Sequence, residues 1–322
     1  MSNTSLSEPG PLTEGVAAFP CPLPADARES AVFYENIPYA AEEGYRPQFL
    51  DLRVPAGTGP ASPAPLIVWV HGGGWVYGSR RRQAPNLHAH RVVEQALDAG
   101  YAVALIDYRL AKEAAFPAQV LDIRAAIRWL RANASDYALD PARMALLGES
   151  AGAHLVLMHG LCGSIDGDRN GRVGEHFDQS EDVQAIVEWY GPATLAVPVA
   201  PAGPAAVSEE NGTYTTSPVE ILLASSSWSA EELSPLTHVR ADAPPLFIAH
   251  GRQDRQVDVE QSRALYRAML DAGAEVEYFE TDGDHVFTGA DTLPEVMSRS
   301  LDFIGRHLAR HGSPQPVSSH TE

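Results

Sequence analysis

The chain has 322 residues, with 23 Lys plus Arg against 42 Asp plus Glu and a net charge of −19. Such a field repels nucleic-acid phosphates and anionic membrane surfaces and excludes both as expected partners. No apolar stretch approaches the ~20 residues that span a bilayer, and Cys21 and Cys162 in so long a chain require no disulfide framework.

Taken in order, residues 1–28 are rich in Ser, Pro and Gly and are expected to fray, as is the polar tail over 311–322 with Pro314 and Pro316. Met1-Ser2-Asn3-Thr4 lacks a basic region followed by an apolar core, so no secretory signal is expected and the reduced, cytoplasmic setting is favoured. Residues 29–310 read as one domain. Leu50, Leu52 and Val54 alternate with Asp51 and Arg53, predicting a strand with one wet face and an antiparallel edge near the start. Leu66-Ile67-Val68-Trp69-Val70, Val103-Ala104-Leu105-Ile106 and Met144-Ala145-Leu146-Leu147 are buried-strand patterns. So are Ala185-Ile186-Val187 and Leu246-Phe247-Ile248-Ala249, and Val276-Glu277-Tyr278 alternates. Between Ala118 and Ala132, Val120, Ile123, Ile127 and Leu130 recur on one helical face, with Pro117 placed as first-turn proline. Strands alternating with helices predict right-handed crossovers and a mostly parallel central sheet with helices on both faces. From Pro192 to Pro244 regularity fails, and this insert is read as a cap over the C-terminal sheet edge.

Several strand ends carry chemistry. Gly148-Glu149-Ser150-Ala151-Gly152 is a G-x-S-x-G elbow, in which a strand turns so sharply into a helix that the serine is left exposed. His71-Gly72-Gly73-Gly74-Trp75 follows an earlier strand, His250-Gly251-Arg252-Gln253-Asp254 a later one, and Gly283-Asp284-His285 the last. Glycine loop, serine, acid and histidine in this order are the chain order of an α/β-hydrolase. With Asp107-Tyr108-Arg109-Leu110, Phe116-Pro117-Ala118 and Tyr190-Gly191-Pro192, the chain resembles the α/β-hydrolase esterases with an HGGG loop, the hormone-sensitive-lipase group, and within them the feruloyl-esterase-like carboxylesterases. The resemblance covers roughly residues 30–310 and specifies fold more than substrate.

A serine hydroxyl needs a neighbouring base to attack at neutral pH. His285 is the candidate base, and Asp254 the acid that fixes its tautomer. Asp254 follows its strand after His250 to Gln253, and His285 comes 31 residues later, room for one helix and one strand. Among rival histidines, His71 and His250 open loops and are expected to hydrogen-bond locally, and His154 lies one turn into the helix after Ser150. Of the rival carboxylates, Asp258 is expected to cap a helix beginning near Val259, and Asp284 is too close to the base in sequence to face it. Ala151 would supply one backbone N–H to the oxyanion; by resemblance, Gly73 and Gly74 supply the others.

Trp75, Tyr77, Trp189, Tyr190 and Trp228 are candidate pocket walls, although aromatic residues more often pack the core. Glu149 is read as a brace for nearby loops, and the resemblance makes Asp107-Tyr108-Arg109 a buried ion-pair brace behind the glycine loop. Asp166-Gly167-Asp168-Arg169-Asn170-Gly171 matches half of a calcium loop, but its twelfth position is Phe177, so a solvated loop is the default and no metal is assigned. The expected function is cofactor-free hydrolysis of small to medium acyl or aryl esters, a small-molecule substrate, with a homodimer compatible. The alternatives are an arylformamidase-type amide hydrolase and, lower, a hydrolase-like receptor without turnover.

Overall fold

The computed structural model describes residues 31–163, 173–196, 217–224, 226–289 and 292–311. The frayed-end expectation for 1–28, the calcium-loop motif at 166–171 and all of the tail beyond His311 lie outside them, as does much of the insert.

Among the described residues eight strands form one sheet: β1 Ala31–Ala40, β2 Gln48–Pro55, β3 Ala64–Val70, β4 Ala102–Ile106, β5 Leu139–Glu149, β6 Ala185–Trp189, β7 Leu246–Gly251 and β8 Val276–Thr281. Their order is β1-β2-β4-β3-β5-β6-β7-β8. The β1–β2 and β2–β4 pairs are antiparallel and all others parallel.

The buried strands are apolar on both faces because both are covered. Leu66, Val68 and Val70 of β3 join one core cluster, Ile67 and Trp69 the other. The first cluster is closed by helices α3 Ala118–Ala132, α4 Ala151–Leu161 and α6 Val259–Ala272. The second is closed by α2 Val92–Asp98 and α7 Thr292–Ala309. Two short helices, α1 Pro85–Ala89 and α5 Pro218–Ala224, border the C-terminal side of the sheet, and α5 comes from the Pro192 to Pro244 insert.

The antiparallel edge near the start is present, made by β1 paired outside β2. Two expectations need correction. The polar side of β2 is not wet: Asp51 is buried, accepting from the Asn36 N–H at 2.8 Å and Arg80 Nε at 2.9 Å. Pro117 sits at the cap of α3, one residue before the first helical position. That helix buries more than its apolar stripe, because Asp122 is fully enclosed by its pairing with Arg109.

Candidate active site

The parallel strands all point their C-terminal ends to one side, and the loops leaving β3, β5, β6, β7 and β8 converge there. Between β5 and α4 the chain turns on Ser150, whose φ of 51° and ψ of −119° is a conformation that a non-glycine residue holds only under constraint from its surroundings. Two backbone contacts supply the constraint: Ser150 N–H donates to Trp189 O at 2.9 Å, and His154 N–H to Ser150 O at 3.1 Å. The turn needs glycine at 152, since a Cβ there would lie 2.2 Å from Val70 O.

The three distant candidates meet. Ser150 Oγ lies 3.0 Å from His285 Nε2, and His285 Nδ1 lies 2.7 Å from Asp254 Oδ2. Asp254 Oδ1 accepts from the N–H groups of Gln256 and Val257 at 2.7 and 2.9 Å. Burial raises the Asp254 carboxyl, but hydrogen bonds from His250 and His285 outweigh it and hold the group well below the usual carboxylate range. The rival carboxylates are engaged elsewhere: Asp258 Oδ1 accepts from Glu260 N–H at 3.0 Å as cap of α6, and Asp284 Oδ1 from Thr288 N–H at 2.8 Å.

The glycine loop lies against the same hydroxyl. Gly73, at φ 118°, accepts from the N–H groups of Val76 and Tyr77, both at 3.1 Å, closing the loop. The Gly72 N–H is taken by Glu149, whose Oε2 also accepts from Tyr190 OH at 3.1 Å. Burial pushes the Glu149 carboxyl up against both hydrogen bonds, and the group braces the loop as the sequence suggested. Among the described residues no acceptor takes the N–H of Gly73, Gly74 or Ala151, and all three residues line the cavity over Ser150.

That cavity is about 830 Å³. Trp75 and Tyr190 form part of its wall, and Tyr77, 47% exposed, stands at its mouth. Leu195, Val219 and Leu223 of the insert complete it. Trp189 does not belong to it. Its side chain falls on the same face of β6 as Ala185 and Val187, packs edge-on against Trp69 at 5.4 Å and donates to Ser300 Oγ at 3.0 Å. Trp228 is likewise outside the lining, stacked edge-on against Phe116 at 5.4 Å.

Sequence reasoning missed several supports. His154 accepts from Trp75 Nε1 at 3.2 Å and donates from Nε2 to Leu233 O at 2.8 Å, tying cavity wall to insert. Burial lowers it to about 4, so it is neutral at physiological pH. Asp107 and Arg109 do not pair with each other: Asp107 holds Arg80, and Arg109 holds Asp122 at 2.7 Å. Tyr108 between them stacks on His71 at 4.3 Å and donates to its carbonyl at 3.1 Å, steadying the start of the glycine loop. His250 does hydrogen-bond within its own loop, its Nε2 lying 3.0 Å from Val257 O and from Asp254 Oδ2, and it also reaches Ser262 Oγ on α6 at 2.7 Å. The loop contacts were visible in sequence; the one to Ser262 was not.

Among the described residues no helix is long and apolar enough to cross a membrane. Residues 50–269 match the BD-FAE family. Esterase LipQ of Mycobacterium tuberculosis is 30% identical over 307 residues, 90% of this chain and 68% of LipQ. Esterase LipC of the same organism is 30% identical over 260 residues, and there the alignment takes in 78% of this chain but 60% of the relative. Of solved structures, a truncated carbohydrate esterase from gut microbiota superposes with a TM-score of 0.68 at 26% identity, covering 87% of this chain and 97% of that one. A thermophilic esterase from Thermogutta terrifontis shares the fold with a TM-score of 0.64 at 24% identity, over 88% of this chain and 95% of the other. The chain belongs to the BD-FAE family and is a carboxylic-ester hydrolase of the α/β-hydrolase fold.

Proposed function

We propose that the chain cleaves small to medium acyl or aryl esters through an acyl-enzyme on Ser150, with His285 as general base and acid and Asp254 as the group that orients it. One observation carries the reading: the unbroken hydrogen-bonded series from Ser150 Oγ to His285 at 3.0 Å and from His285 to Asp254 at 2.7 Å. His285 Nε2 takes the hydroxyl proton as Oγ attacks the ester carbonyl, and returns it to the departing alkoxide. A water then enters, gives its proton to Nε2 and attacks the acyl carbonyl, and the carboxylic acid leaves with Ser150 restored. Charge on the tetrahedral oxygen is met by the N–H groups of Gly73, Gly74 and Ala151, each worth about 3 kcal/mol of barrier.

The size preference is supported by the cavity of about 830 Å³, bounded by Trp75 and by Leu195, Val219 and Leu223 of the insert. In this reading the insert is a cap that sets chain length. Cytoplasmic residence is part of the same proposal, supported by the low cysteine usage, Cys21 and Cys162 in 322 residues.

A panel of p-nitrophenyl esters from acetate to decanoate tests it. The expected result is a burst of nitrophenol, a maximum at short to middle acyl lengths, and a loss of more than about 10³-fold in turnover for Ser150→Ala. Wild-type turnover by that variant would exclude Ser150 as nucleophile.

A further inference from the structure

Behind Asp254, away from the cavity, lies a second hydrogen-bonded series that the chemistry above leaves unused. His250 on β7 is fully buried. Its Nε2 faces Val257 O at 3.0 Å and Asp254 Oδ2 at 3.0 Å. Both are acceptors only, so this nitrogen carries hydrogen. Its Nδ1 lies 2.7 Å from Ser262 Oγ on α6, and that hydroxyl lies 3.2 Å from Glu188 Oε1 on β6. Glu188 Oε2 accepts from the Gly191 N–H at 2.8 Å, and Ser262 and Glu188 are both fully enclosed.

A hydroxyl has a single hydrogen to give. Donated to the Glu188 carboxylate, it obliges Oγ to accept from Nδ1–H, and His250 then holds hydrogen on both ring nitrogens. Two enclosed carboxylates within reach of one imidazole are tolerable only with a positive charge between them. The groups facing His250 are Glu188 from β6, Ser262 from α6, and Asp254 with the Val257 carbonyl from its own loop; His285 stands across Asp254.

We propose that His250 is a buried imidazolium and a positioning residue of the hydrolase: it holds Asp254 from behind, has Glu188 as its second counter-ion through Ser262, and by its charge sets the low-pH limb of ester hydrolysis. This rests on the reading of Ser150, His285 and Asp254 given above. Burial pulls the His250 ring down, but the hydrogen bond to Asp254 and the charge of Glu188 outweigh it and leave it above its ordinary value. Burial also pushes Glu188 up to about 7, against the charge of His250 and the hydrogen bonds from Gly191 and Ser262. A positive ring behind Asp254 opposes a second positive charge on the ring in front.

Glu188→Gln is nearly isosteric. Its carbonyl still accepts from Gly191, and its NH₂ donates to Ser262 Oγ, whose hydrogen then goes to an uncharged His250. The acid limb of kcat/KM against pH is expected to move up by about one unit. A purely structural role lowers activity evenly across pH and moves no limb. Independently, ¹⁵N spectra of histidine-labelled wild type at pH 7 should contain one buried ring doubly protonated, which becomes singly protonated in Glu188→Gln. Absence of that ring in the wild type, or an unmoved limb in Glu188→Gln, overturns the inference and leaves the esterase reading standing. The spectrum needs no turnover and is equally readable in Ser150→Ala, so wild-type hydrolysis by that variant would sink the catalytic reading without touching the charge on His250.

Discussion

At Asp254 four donors converge on two oxygens: two backbone N–H groups on Oδ1, and the rings of His285 and His250 on Oδ2. An asparagine there keeps shape but must turn its NH₂ toward either the backbone donors or the two rings; with two N–H groups claiming its oxygen at the Oδ1 place, the NH₂ faces the rings and removes the acceptor that fixes the His285 tautomer. Asp254→Asn is therefore expected to lower kcat by about 10³ to 10⁴-fold while KM changes little, and steady-state kinetics showing less than a tenfold loss would reassign the acid. Ser150, His285 and Asp254 were legible in sequence because each ends a strand inside a local motif. His250 was not, since Ser262 and Glu188 sit in other elements where they read as ordinary core positions. Trp189 was misread for a simpler reason, as its parity along β6 with Ala185 and Val187 already put it in the core.

The elements that hold these side chains differ in what they tolerate. At the β5–α4 turn a methyl on Gly152 would meet main chain, at 2.2 Å from Val70 O, and the backbone has nowhere to move. Gly152→Ala should destabilise the fold by about 3 kcal/mol or more, read as a lower denaturation midpoint, and a variant as stable as wild type would contradict that tight turn. Asp258 belongs to the opposite case. It caps α6 from an exposed position, so Asp258→Ala should cost about 1 kcal/mol of stability and leave kcat unchanged, which separates it from Asp254 four residues earlier. Most strands were visible from apolar runs flanked by motifs. The β1 strand was not: Asn36 at φ 57° and shifts in register interrupt the alternation that would announce it.

Over the whole molecule, burial has fixed several histidines in the neutral state: it lowers His71 and His154 to about 4 and His159 to about 3. Unfolded, each binds a proton near its ordinary pKa of about 6.5. Between those values the unfolded chain holds more protons than the folded one, so stability rises with pH there and is lost as pH falls from about 6.5 toward 4. Up to about 3 kcal/mol for each of His71 and His154 is at stake. Melting in moderate salt, which screens the field of −19 charges, should show Tm dropping markedly from pH 7 to pH 4.5; a flat profile would mean these rings are not shut away. Composition indicated an acidic, one-domain chain but not this acid sensitivity, which depends on which histidines the packing encloses.

The place of β8 at the rim of the sheet has a kinetic meaning of its own. Ser150 is rooted in the middle of the sheet, between β3 and β6, whereas the loop carrying His285 hangs from a strand with a single neighbour, β7. Outermost strands peel away at lower free energy than central ones. As urea rises, catalysis should fall silent while Trp69 and Trp189, planted in β3 and β6, still report an intact interior. Inactivation and tryptophan emission tracing a single curve would show that rim and centre let go together.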